Sequence, residues 1–190
     1  MGHREDLLEG AKRCLYEKGY ARTTARDIVA ASGTNLGSIG YHYGSTQALM
    51  NAAMLSAIEE WGDAVGAALA TEQPGEPGDP LVRYWQRVIG TLETHRALWL
   101  ASIEAMLQSQ HSPELRAQIA EGMHQGRRGL AALLTGRPEE SLDDDTVRTL
   151  GATGLALMSG VMTQWLADPS RAPSAEQIAA GVRALAATNL

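Results

Sequence analysis

Apolar residues along this chain recur at helical spacing. Leu7, Ala11, Cys14 and Leu15 stand at i, i+4, i+7 and i+8, which predicts a first helix ending near Gly19. Thr24-Ala25-Arg26-Asp27 has the form of a capping box and opens a short second helix through Ile28 and Ala31. Ser32-Gly33-Thr34 interrupts it, and Asn35 is placed to cap a third short helix reaching about Tyr41. Ser45 then caps a long helix carrying Leu49, Ala53, Ala57, Trp61, Val65 and Leu69. The Pro- and Gly-rich run from Gln73 to Pro80 predicts a loop. Beyond it the pattern predicts helices over about 79–93, 95–109, 113–134, 144–167 and 174–188. Pro113, the Gly136–Pro138 turn, and Pro169 with Pro173 supply the breaks. No stretch alternates β-branched and polar residues over strand length. The expected fold is all-α, about nine helices without internal repeats, three short ones followed by longer ones.

Two short helices joined by a tight turn that contains glycine are the form of a helix-turn-helix. The first must pack behind the second, which Ile28 and Val29 can do, and Gly33 supplies a turn residue tolerant of positive φ. The second must be slim and polar enough to enter a DNA major groove, about 12 Å wide. In Leu36-Gly37-Ser38-Ile39-Gly40-Tyr41-His42, Ile39 is the inward anchor, with Tyr43 just beyond. Ser38, Tyr41 and His42 offer hydrogen-bonding groups, and the two glycines allow close approach at about 1 kcal/mol each in helix stability.

Charge distribution adds to this picture. The chain carries a formal net charge of −6, yet residues 1–46 sum to +1 and the remainder to −7. A less acidic head on an acidic body is steered toward a polyanion head-first. The lone Cys14 has no partner for an internal disulfide, which suits a reducing compartment and an inert core role. No run of about 18 apolar residues exists to span a bilayer, and the charged start, Met1 to Glu9, lacks a secretory apolar core. A cytoplasmic location without membrane partners is the expectation.

The first quarter of the chain resembles the tetracycline-repressor (TetR) family of bacterial regulators. The resemblance is carried in register by Ala11, Leu15-Tyr16, Gly19-Tyr20, Thr23-Thr24, Asp27-Ile28, Ala31-Ser32-Gly33, Gly37-Ser38-Ile39, His42-Tyr43-Gly44-Ser45 and Ala48-Leu49. It implies a DNA-binding head over residues 1–46 and a helical ligand-binding and dimerisation body over 47–190. It further implies a regulator, most often a repressor, that grips a palindromic operator in double-stranded DNA as a homodimer and is released by a small-molecule effector. Thr24 takes the position of a phosphate-contacting threonine, helped by the amides at its helix N-terminus. Thr34, Asn35, Leu36, Gly37, Ser38 and Tyr41 take groove-facing positions, and His42 lies near the backbone. Arg4, Arg22 and Arg26 could add phosphate contacts; Arg4 and Arg26 read equally well as solvated charge. The chain departs from the family at Thr46, where a phosphate-gripping lysine is usual, and at the next residue, Gln47, where an acid is common.

The body offers softer signals. Trp85, Trp99, Ile103, Glu104, Met123, Met158 and Met162 are the candidate effector-binding residues, because Met and Trp give adaptable apolar surface. Glu104, on a largely apolar helix, suits a cationic or hydroxylated ligand, and equally a salt bridge to Arg116, Arg127 or Arg128 or plain exposure. The 144–167 helix is apolar over most of its circumference, which calls for burial on more than one side. Val147, Leu150, Gly151, Gly154, Leu155, Met158, Val161, Met162 and Trp165 are its candidate dimer-interface residues, with the last helix beside it in a four-helix arrangement.

An enzyme is the first rival. No phosphate loop, nucleophile elbow or Cys/His metal spacing supports one, and no cofactor is implied. The second rival is a helical ligand-binding or interaction protein that has lost specific DNA binding, which Thr46 keeps open.

Overall fold

The computed structural model describes residues 2–70 and 77–188. Residues 73–76 of the expected loop lie outside them. The helices are α1 His3–Lys18, α2 Ala25–Ser32, α3 Leu36–Tyr43, α4 Thr46–Ala70, α5 Pro80–Thr94, α6 Arg96–Ser109, α7 Pro113–Thr135, α8 Asp144–Thr146, α9 Ala152–Ala167 and α10 Ala175–Ala186. A short 3-10 turn, Glu139–Ser141, precedes α8. The single helix expected over 144–167 is a continuous run of α8, a π-helical segment Val147–Gly151, and α9. Counted as one, it makes nine helices among the described residues, with no strand.

Local chemistry explains the ends. Thr24 and Asp27 form the expected capping box of α2, and the Asn35 side chain caps α3 by accepting from the Ser38 amide at 3.1 Å. Gly33 closes α2 in the left-handed region, φ 68°, where a Cβ would be strained. The third helix runs two residues past the expected Tyr41 because the Gly44 amide bonds back to the Gly40 carbonyl at 3.1 Å.

By packing, the chain forms two compact units: Met1–Trp61 with Ala97–His124, and Gly62–Arg96 with Gln125–Leu190. In the first, α1 packs on α2 and α3 around Leu7, Ala11, Leu15, Ile28 and Ile39, all buried. Cys14 belongs to this core, and burial pushes its thiol up from the ordinary value. In the second unit α5 lies along α10. Arg183 pairs with Asp79 at 2.5 Å, and Gln86 donates to Glu176 at 3.1 Å.

The same unit holds the π segment. Val147 packs with Ala131 and Leu142. A Cβ on Gly151 would drive into the Arg127 carbonyl oxygen, and one on Gly154 would stand 3.1 Å from Leu134 Cδ1. The close approach expected of these glycines at a dimer seam is therefore spent inside the chain, against α7. Met158 and Val161 are likewise buried within it, Leu155, Met162 and Trp165 are half-buried, and Leu150 is exposed. Packing on its own unit accounts for the buried part of this helix's apolar circumference. Its exposed face carries Thr153, Ala156, Ser159, Gly160, Thr163 and Gln164. Among the described residues no helix is long and apolar enough to cross a membrane.

Candidate nucleic-acid interface

The short helix α3 buries Ile39 and turns the rest of its surface outward. Leu36 is 53% exposed and Tyr41 85% exposed; Asn35, Gly37 and Gly40 are exposed, and Ser38 and His42 half-buried. Neither of these large side chains fills the core. The Tyr41 ring meets His42 edge-on at 4.8 Å between centroids, which restricts both rings before any ligand arrives. Asn35 uses its carbonyl oxygen as the cap, leaving its amide donors for a partner. Thr34 is half-buried, its hydroxyl 2.7 Å from that of Ser32.

The head of α2 differs from the expectation in one respect. Thr24 N donates to Asp27 Oδ2 at 2.9 Å, the Thr24 hydroxyl donates to the same oxygen at 2.7 Å, and Asp27 N donates to Thr24 Oγ1 at 3.3 Å. Lys18 pairs with Asp27 Oδ1 at 2.5 Å. The Lys18 ammonium, the Thr24 hydroxyl and the Thr24 amide together hold the Asp27 carboxyl down to about 2. Of the amides expected to favour a phosphate, that of Thr24 thus already serves the Asp27 carboxylate and that of Asp27 the Thr24 hydroxyl. Those of Ala25 and Arg26 remain for an anion.

The cations are placed unequally. Arg26 is exposed and without a partner among the described residues. Arg22 is exposed, with its Nε donating to the Lys18 carbonyl at 2.8 Å. Arg4 lies over the Tyr43 ring at 5.7 Å, and the Tyr43 hydroxyl donates to the Arg4 carbonyl at 2.9 Å, which ties the end of α3 to the start of α1. Thr46, half-buried, is the first residue of α4, while the Ser45 hydroxyl accepts from Ala48 N at 3.0 Å.

Behind this surface lies a polar network that the sequence does not announce. Tyr20 and Asn51 are buried, and the Tyr20 hydroxyl donates to Asn51 Oδ1. Gln47 donates to the Tyr20 hydroxyl and, at 3.3 Å, to Asn51 Oδ1; Asn51 Nδ2 donates to Gln118 Oε1 at 3.0 Å. Burial pushes the Tyr20 phenol up to about 12, partly offset by Gln47, so the network is neutral at physiological pH. A polar Asn51 among the apolar residues of α4 is the one sign of it in the chain.

The candidate effector residues fall in different places. Trp99, Ile103, Glu104 and Met123 are in the first unit, and Trp85, Met158 and Met162 in the second. Trp99 is 8% exposed, meets Trp61 edge-on at 4.5 Å, and leaves its buried indole N–H without an acceptor among the described residues. Ile103 and Met123 are exposed, Trp85 and Met158 buried. Glu104 does not form the salt bridge expected with Arg116, Arg127 or Arg128; its carboxylate accepts from the Ala21 backbone N–H at 3.0 Å. Two clefts, of about 280 and 410 Å³, open beside Tyr20 and Gln47 and beside Ile89 and Trp165 respectively. None of the seven candidate effector residues lines either one.

A short capped helix that exposes an aromatic, amide and hydroxyl surface beside basic residues, behind a turn closed by glycine, has the architecture of a helix-turn-helix. Residues 7–53 match the profile described as bacterial regulatory proteins, tetR family, and residues 76–188 the tetracyclin repressor-like C-terminal domain, so the chain belongs to the TetR family. It is 33% identical over 119 residues to the HTH-type transcriptional repressor AcnR of Corynebacterium efficiens, covering 62% of this chain and 56% of that repressor's length. Among solved structures it is similar to the multidrug binding protein EbrR complexed with proflavin, at 26% identity, TM-score 0.68, and coverage of 97% and 99% of the two chains. It shares its fold with a putative transcriptional regulator from Rhodococcus sp. RHA1, at 20% identity, TM-score 0.75, and coverage of 97% and 95%.

Proposed function

We propose that this chain represses transcription by seating α3 of each of two protomers in successive major grooves of a palindromic operator, and that a small-molecule effector bound in the body releases it. The observation that carries the reading is the outer face of α3, where Tyr41 stands 85% exposed on a helix anchored from behind by Ile39. Residues 1–46 act as the head and 47–190 as the body. Tyr41, Asn35 and Ser38 read base edges, while Thr24, Arg26, His42 and the free amides of α2 contact phosphates and fix the register. A twofold dimer sets the two recognition helices about one DNA turn apart, or a multiple of it. The exposed sides of α9 and α10 supply the seam.

Effector control is supported by the likeness to EbrR, solved with proflavin, and by the unpaired indole N–H of Trp99. A ligand that presents an acceptor to that donor and a flat apolar face to the Trp61–Trp99 pair fits the chemistry there. Binding rather than turnover is the activity, and the cytoplasm is its place.

Selection of duplexes from a random pool by the purified protein tests the reading. A palindromic site is the expected product. No enrichment over bulk DNA would overturn it in favour of a helical interaction protein that has lost specific DNA binding.

A further inference from the structure

The turn between α1 and α2 is held from outside the helix-turn-helix. Most of its bonds run back locally to α1: the Thr23 hydroxyl donates to the Gly19 carbonyl at 2.8 Å, and Arg22 Nε to the Lys18 carbonyl. Tyr20 is fixed by Gln47 and Asn51 of α4, with Asn51 bonded in turn to Gln118 of α7. The next residue, Ala21, donates its backbone N–H to Glu104 Oε2 of α6 at 3.0 Å, across 83 positions of sequence. The Glu104 carboxylate oxygens stand 3.7 Å, and Arg22 Nη2 3.8 Å, from the point a Cβ on Gly19 would occupy. All of these residues belong to the first compact unit. The carboxylate thus sits at the turn that decides where α2, and with it Thr24 and Arg26, begins.

We propose that Glu104 is a positioning residue of the DNA interface: by accepting the Ala21 N–H it fixes the α1–α2 turn, and so the placement of Thr24 and Arg26 against the phosphate backbone, without itself touching DNA. The proposal rests on the DNA-binding reading above. It makes a prediction of opposite sign to simple electrostatics. Removing a carboxylate from a DNA-binding unit raises affinity for any duplex, because a charge repelled by phosphate is gone. Removing the acceptor that sets the turn lowers affinity for the duplex that needs the exact placement.

The test compares the full-length wild type with Glu104→Ala and Glu104→Gln on two probes: the duplex that the wild type enriches from the random pool, and a scrambled duplex of equal length. Glu104→Ala is expected to bind the enriched duplex about tenfold more weakly, the scale of a lost hydrogen bond to a charged group, while its affinity for the scrambled duplex holds or rises. Glu104→Gln keeps an acceptor, drops the charge, and is expected to restore wild-type affinity for the enriched duplex. Equal binding of that duplex by wild type and Glu104→Ala overturns the proposal. So does a Gln variant no better than Ala. Should Glu104→Ala fail to fold, hydrogen exchange at the Ala21 amide decides: protection in wild type and Glu104→Gln supports the clasp, and free exchange refutes it. A wild type that enriches no duplex overturns the DNA-binding reading and this role together, whereas normal enrichment with any failure above overturns the role alone.

Discussion

Lys12 on α1, only 8% exposed, is ion-paired with Glu60 on α4 and with Glu9 one turn before it at 2.6 Å. Both glutamates remain largely in water. The pair therefore buries one charge and not three, and the aliphatic stem of Lys12 fills the α1–α4 contact. Burial by itself lowers the ammonium's pKa, but Glu60 and Glu9 outweigh it and raise it above the ordinary 10.5. A raised value means that the pair's contribution is present below about pH 10.5 and is lost as pH climbs through the higher folded value.

Lys12→Met is accordingly expected to change stability by less than about 1 kcal/mol in urea denaturation, because Met keeps the stem volume and the glutamates resolvate. Lys12→Ala, which also empties the stem's place, should cost about 1–3 kcal/mol. Equal losses in the two variants would show that the charge, and not the packing, holds α1 to α4.

Gly151 is the point at which the π segment meets α7. Its backbone is ordinary helix, φ −62°, so alanine suffers no strain of its own there. The added methyl group, however, would overlap the Arg127 carbonyl oxygen and crowd Ala131 Cβ at 3.3 Å. A backbone atom cannot step aside as a side chain does. Gly151→Ala should destabilise by about 1–3 kcal/mol or more, the range for overpacking, seen as a lower thermal midpoint. Gly62→Ala, exposed on α4 with nothing near its Cβ position, serves as the control. It should leave the midpoint unchanged or raise it.

Asp27 links pH to the head of α2. Its carboxyl is held down to about 2 from the ordinary 3.8, first by Lys18 and then by Thr24. A lowered value gives stability that is present above about pH 4 and disappears as pH falls through about 2. In parallel acid titrations followed by circular dichroism, the wild type should lose stability across that window faster than Asp27→Asn. A difference that is flat between pH 4 and 2 would remove the capping box from the acid response.

Local features were legible in the chain, and long-range polar ones were not. Thr24, Asn35, Ser45 and Gly33 act within three or four residues of themselves, so helix starts and the turn could be placed from composition alone. The second helix pair looked different once folded. Gly151 and Gly154 advertise close approach without saying to which helix, and the chain itself supplies α7. The π segment leaves no mark in the periodicity. The Tyr20–Asn51 and Asn51–Gln118 bonds span 31 and 67 positions, and nothing at either end names the other. Glu104 stands out as a carboxylate on a largely apolar helix, yet its partner is a backbone N–H, which every residue but proline carries. No residue type in the chain marks such a partner.

Tyr41 tests the recognition surface directly. At 85% exposure the ring holds no part of the core, so Tyr41→Ala should leave folding and oligomeric state unaltered. Its loss should weaken binding to an enriched duplex by about 1–3 kcal/mol, the worth of one good base contact, and relax selectivity at one position of each half-site. Unchanged affinity would remove Tyr41 from the interface.

Thr46 tests the backbone contacts. It opens α4 half-buried and neutral where the tetracycline-repressor pattern commonly carries lysine. A lysine at a helix N-terminus opposes the macrodipole, at about 0.3–1 kcal/mol, so Thr46→Lys should slightly lower thermal stability in the free protein. On DNA the new ammonium adds one phosphate contact. The plot of log affinity against log salt should therefore steepen by about 0.9 if position 46 faces a phosphate. Because phosphate contacts carry no sequence information, enriched and scrambled duplexes should gain alike at low salt. That common gain separates Thr46→Lys from Tyr41→Ala, whose effect belongs to the enriched duplex alone. A slope identical to wild type would place Thr46 away from the DNA backbone and leave Thr24, Arg26, His42 and the free amides of α2 as the phosphate contacts of the head.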